Sequence, residues 1–135
     1  MSHFFKASVV MSALLMTNIA VSVLAQPVSR GALLSSTPLP GAPQGAQAYK
    51  IQYRSQDTNS QSNVVSGVII VPDGAPPRDG RNVVAWAHGT FGVAESCAPS
   101  QSPELFRAIA GLNDLLAAGY VVVATDYAGL GTPGG

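Results

Sequence analysis

The sequence predicts an α/β fold in which an antiparallel hairpin leads into a parallel βαβ unit. Three observations carry this. Ala48 to Ser55 alternates, with Tyr49, Ile51 and Tyr53 on one side and Lys50, Gln52 and Arg54 on the other, the period-two pattern of a half-exposed strand. Val83 to Ala87 and Tyr120 to Thr125 are short apolar runs, the composition of buried parallel strands. Between them Leu105, Ile109, Leu112 and Leu116 recur at helical spacing.

The front of the chain is set apart first. Met1 to Lys6 is weakly basic, and Ala7 to Leu24 is almost wholly apolar or small. Val23-Leu24-Ala25 then offers small-residue spacing for signal-peptidase cleavage after Ala25. Residues 1–25 therefore read as a secretory signal peptide, leaving no stable membrane anchor once it is removed. An uncleaved anchor is the competing reading, and Thr17 and Asn18 within the run count against it. Residues 26–47, rich in Pro, Gly, Ser and Ala, read as an irregular leader whose one apolar anchor is Gly31-Ala32-Leu33-Leu34. The fold proper is expected over residues 48–135.

Each later element has its own punctuation. A second strand, Asn63 to Val71, follows the polar turn at 57–62 and stops at Pro72-Asp73-Gly74. With 48–55 it forms an antiparallel hairpin expected at a sheet edge. Ser102-Pro103-Glu104 is a helix start, with a capping serine, a first-turn proline and an acid near the positive end of the dipole. Gly111 threatens to split the helix, and Gly119 suits a left-handed C-cap. The strand–helix–strand order predicts a right-handed crossover whose loops open on one edge of the sheet.

That edge collects the chemistry. The organising stretch is V-V-A-W-A-H-G-T-F-G, residues 83–92. A strand ending in His88-Gly89 and a small-residue loop suits an oxyanion hole, in which backbone N–H groups face developing negative charge. Gly89 is expected to permit a sharp turn and close approach to a ligand. The competing reading is a plain strand-to-loop turn with a satisfied histidine. Asp126 and Tyr127 end the second strand at the same edge. Asp126 reads as a loop-fixing carboxylate and Tyr127 as lining for the cleft mouth or packing on the sheet. Trp86 reads as core beneath the site and Glu95 as solvated.

Other chemistries find little support. Charged residues make up 10% of the chain and the formal net charge is zero, so no basic field draws nucleic acid. Paired Cys and His ligands for a metal are missing, and no cofactor is implied. The G-L-G-T-P-G loop at 129–134 lacks the lysine of a phosphate loop. The single cysteine, Cys97, reads as a free buried thiol, an intermolecular bridge, or half of a bridge to a partner outside this chain.

The order hairpin, V-V-A-W-A-H-G-T-F-G, C-A-P-S, then L-L-A-A-G-Y-V-V-V-A-T-D-Y-A-G-L-G-T-P-G resembles the N-terminal part of secreted lipases of the α/β-hydrolase fold, the lipase-A-like secretory lipase group. The resemblance runs from about Gly31 to Gly134. It implies an incomplete α/β-hydrolase sheet, an ester or lipid substrate, and an oxyanion-hole N–H from Thr90 or Phe91, with His88 and Gly89 supporting the loop. The family usually carries a small polar residue where Phe91 stands. The resemblance also implies a disulfide for Cys97 with a distant partner.

The same family carries its nucleophile on a G-x-S-x-G elbow, followed by an acid and a histidine. No G-x-S-x-G occurs in these 135 residues, and the histidines are His3 and His88 alone. Two expectations follow. The first is an N-terminal fragment of a secreted lipase or esterase that supplies the oxyanion loop, lacks the triad and is inactive by itself. The second is a non-catalytic secreted binding protein derived from a truncated hydrolase gene.

Overall fold

A computed structural model describes residues 29–133; the expected signal peptide lies outside them. Five strands form one mixed sheet: β1 (Leu33–Leu39), β2 (Ala46–Gln56), β3 (Ser62–Pro72), β4 (Val83–Trp86) and β5 (Val121–Thr125). Their order across the sheet is β1-β2-β3-β5-β4. The first three form an antiparallel meander, β3 meets β5 antiparallel, and β4 lies parallel to β5 with Trp86 opposite Ala124.

Two expectations are corrected here. The leader at 26–47 is not irregular throughout, because Leu33–Leu39 is β1 and pairs with β2. The β2–β3 hairpin consequently lies inside the sheet, and β1 takes that edge. β1 is exposed almost along its length, so backbone hydrogen bonding to β2 holds it rather than burial. The opposite edge is β4. Its apolar run has the composition of a buried strand, yet in this chain Val83 is 62% exposed and Ala85 is exposed as well. An edge strand has a neighbour on one side only, and here that neighbour is β5.

The helical stretch is split, as Gly111 warned. It forms α1 (Leu105–Ala108) and α2 (Leu112–Ala117), separated by an extended Ile109 and by Gly111 at φ 69°. The spacing of the leucines nevertheless marks what is buried. Leu105, Ile109, Leu112 and Leu116 all pack against Val68 and Ile70 of β3 and Val122 and Ala124 of β5. Each large side chain fully buried in this layer contributes about 1.5–3 kcal/mol. Ser102 Oγ accepts from the Glu104 N–H at the helix start. At the far end of the sheet, Arg81 donates to the carbonyls of Asp73, Gly74, Ala75 and Gly119, tying the β3–β4 loop to the end of α2.

Candidate active site

The parallel register of β4 and β5 releases two loops side by side at their carboxyl ends: His88 to Gly92 and Asp126 to Thr132. Asp126 is 1% exposed. Its Oδ2 accepts from Ser66 Oγ at 2.6 Å and its Oδ1 from the Ser100 N–H at 2.8 Å. Its own N–H donates to the Ser66 carbonyl. Both carboxylate oxygens are thus committed to protein donors, as expected of a loop-fixing group. Gly131 passes directly over this cluster at φ 72°, where a Cβ would run into Ser66, Ala98 and Asp126. Its N–H donates to the Glu95 carbonyl.

His88 is the buried centre of the neighbouring loop, 7% exposed between exposed Ala87 and Gly89. Tyr127 stacks on its imidazole, with ring centroids 4.0 Å apart and planes 24° from parallel. Phe91 meets it edge-on at 5.3 Å, and Trp86 lies tilted at 6.0 Å. Such ring pairs contribute about 0.5–1.5 kcal/mol beyond the area they bury. His88 Nδ1 bonds the Gly89 carbonyl. A carbonyl oxygen only accepts, so Nδ1 carries the proton in this contact, and the second ring nitrogen is Nε2. That Nε2 is buried with no hydrogen-bond partner among the described residues.

Tyr127 is held on both sides. Its hydroxyl donates to the His88 carbonyl at 3.1 Å. Its backbone sits at φ 62°, a left-handed conformation costing a non-glycine residue roughly 1–2 kcal/mol. Gly89 does not adopt a positive φ, and a Cβ there would meet open space. The unusual backbone in the loop belongs to Gly92, at φ 117°, where a Cβ would collide with the Cys97 side chain. The Cys97 thiol is free and half-buried against that glycine.

Among the described residues no acceptor meets the N–H groups of Gly89, Thr90 or Phe91. Gly89, Thr90 and Phe91 line a hollow of about 380 Å³ together with His88, Val93, Tyr127 and Leu130. A larger hollow of about 520 Å³ lies at the hairpin end, among Arg54, Asp57, Asn63 and Thr132. The Asp57 carboxylate there is engaged by the Asn59 and Gln61 N–H groups of the turn. The smaller hollow is the better candidate because the residues that carry these open N–H groups line it, on a braced loop at the carboxyl end of β4. Among the described residues no group of three or more potential metal ligands forms, and no helix is long and apolar enough to cross a membrane.

The structure thus brings His88, Gly89, Thr90, Phe91 and Tyr127 together and puts Cys97 behind them. Ser66, Ser100 and Gly131 escaped the sequence reading. Their partners are distant in the chain, and only Gly131, in its glycine-rich loop, carried any local signal.

No family model matches the chain, and no curated protein does. Solved structures do match it. Lipase A from Candida antarctica in its closed state superposes with a TM-score of 0.61 at 22% identity, over 76% of this chain and 26% of that one. The rice cell wall degrading esterase LipA from Xanthomonas oryzae gives a TM-score of 0.60 at 21% identity, over 76% of this chain and 30% of that one. The fold these define is that of a partial α/β-hydrolase sheet. The chain spans 26% and 30% of the lengths of the two proteins.

Proposed function

We propose that this chain is the oxyanion-binding part of a secreted serine ester hydrolase, a triacylglycerol lipase or carboxylesterase, exported by a signal peptide over residues 1–25. The observation that carries the reading is the set of open N–H groups at Gly89, Thr90 and Phe91, on a loop braced at the carboxyl end of β4. A tetrahedral intermediate seated in the hollow beside them develops negative charge on oxygen, and N–H groups already in position stabilise it without reorganising. Thr90 and Phe91 are the assigned donors. His88 has its Nδ1 proton committed to Gly89 and supports the loop rather than shuttling protons. Nucleophile, acid and base are assigned outside these residues, since the chain has no G-x-S-x-G and its only histidine after the signal peptide is His88.

The test follows the reading frame beyond codon 135 and assays its product on a short p-nitrophenyl ester. Turnover abolished by a serine-directed phosphonate is expected. Thr90→Pro, which deletes one N–H, should lower kcat by about 10²–10³. A frame that closes after Gly135, with no turnover, would replace this reading with the non-catalytic secreted binding protein.

A further inference from the structure

We infer that Tyr127 is a positioning residue that sets the direction of the N–H groups of Gly89 and Thr90; the inference rests on reading the loop after β4 as the oxyanion binder. Two consecutive peptide planes are involved, and there are no cis bonds among the described residues. In a trans peptide the C=O and the N–H point in opposite directions. Fixing one therefore aims the other. The carbonyl of the His88–Gly89 plane accepts from the Tyr127 hydroxyl, so the Gly89 N–H is directed away from the phenol. The carbonyl of the Gly89–Thr90 plane accepts from His88 Nδ1, so the Thr90 N–H is directed away from the imidazole. That imidazole is in turn stacked under the Tyr127 ring. Tyr127 therefore acts on the first plane through its hydroxyl and on the second through the ring it holds in place.

Two further observations separate this role from packing. Tyr127 is 41% exposed, so it stands at the surface rimming the hollow and is not part of the core. It also stands at φ 62°, where glycine would sit without strain. Strained non-glycine residues that persist beside a site are held there by their surroundings and point to a job at that site.

The experiment uses the product of the complete reading frame, labelled with ¹⁵N at glycine and threonine, as wild type and Tyr127→Phe. Phenylalanine keeps the stacked ring and deletes only the hydroxyl. The Gly89 amide order parameter should be near the rigid value of about 0.85 in the wild type and fall below about 0.6 in the variant. The melting temperature should not change. On the ester substrate kcat should fall about tenfold or more with KM unchanged, because a loosened His88–Gly89 plane also frees the adjoining plane that carries the Thr90 donor, and a misdirected donor is missed chiefly in the transition state. Hydrolysis with an unaltered order parameter, or with a mobile loop and unaltered kcat, overturns the positioning role and leaves the enzyme reading standing. A wild type without hydrolysis, whose loop is rigid and is loosened by Tyr127→Phe, removes the enzyme reading and upholds the control of the loop by Tyr127.

Discussion

Asp126 shows how much one side chain can organise. It joins β3, through Ser66, to the turn at Ser100, and the loop at Gly131 is laid over the join. Asp126→Ala would strand a hydroxyl and an N–H in a buried place and is expected to destabilise the protein by about 2–4 kcal/mol. Ser66→Ala removes one of the two bonds and should cost about 1–2 kcal/mol. Urea unfolding of the complete gene product measures both, and equal losses would show that Ser100 contributes nothing. The position of Asp126 was legible, because a carboxylate ending a strand at this edge is a natural fastener. Ser66 was not, since one serine in an apolar strand resembles any other until β5 returns beside it. The left-handed positions were not legible for a related reason: a glycine after histidine draws the eye to Gly89, and the positive φ angles fall at Gly92 and Tyr127.

At the scale of elements, side-chain rhythm revealed what is buried, and backbone pairing decided the rest. β2, β3 and β5 are where alternation and apolar runs put them. β1 was hidden because L-L-S-S-T-P-L has no alternation and its residues face solvent. Its strand character comes from a neighbour, β2, which composition does not encode. The helix was legible in its buried face and not in its continuity, since Gly111 breaks the backbone without disturbing which side chains meet the sheet. β4 supplies a prediction of its own. Val83 is 62% exposed at an unpaired edge, and an uncharged edge strand invites pairing with another chain. In the chain of residues 26–135, Val83→Lys should shift sedimentation towards smaller species. It should change stability by no more than about 0.5 kcal/mol, as for an exposed site. Unchanged sedimentation would place the association elsewhere, with β1 the next surface to alter.

For the whole chain the proposed reading predicts no activity of its own. The 135-residue chain by itself should not hydrolyse a p-nitrophenyl ester at an enzyme's rate, because an oxyanion loop without a nucleophile leaves only a small residual acceleration. Phosphonate-sensitive turnover by this chain would reveal a nucleophile that neither sequence nor geometry shows. Size-exclusion chromatography of residues 26–135 should show associated species, since among the described residues β1 and β4 have no outer neighbour and Leu33, Leu34 and Val83 are exposed, leaving apolar surface to cover. Mass spectrometry of exported material should find the N-terminus at Gln26.

The sheet order also sets a timetable for synthesis. β1, β2 and β3 are neighbours in the chain and in the sheet, so the meander can close as soon as Pro72 has emerged. β4 comes next but has no place beside β3, because β5 occupies it. Until Thr125 follows, Val83–Trp86 waits as an unpaired strand at the front of a growing chain. Non-local pairing of this kind is slow to form. During that interval this segment is the one a chaperone has most reason to hold and a protease the best chance to cut.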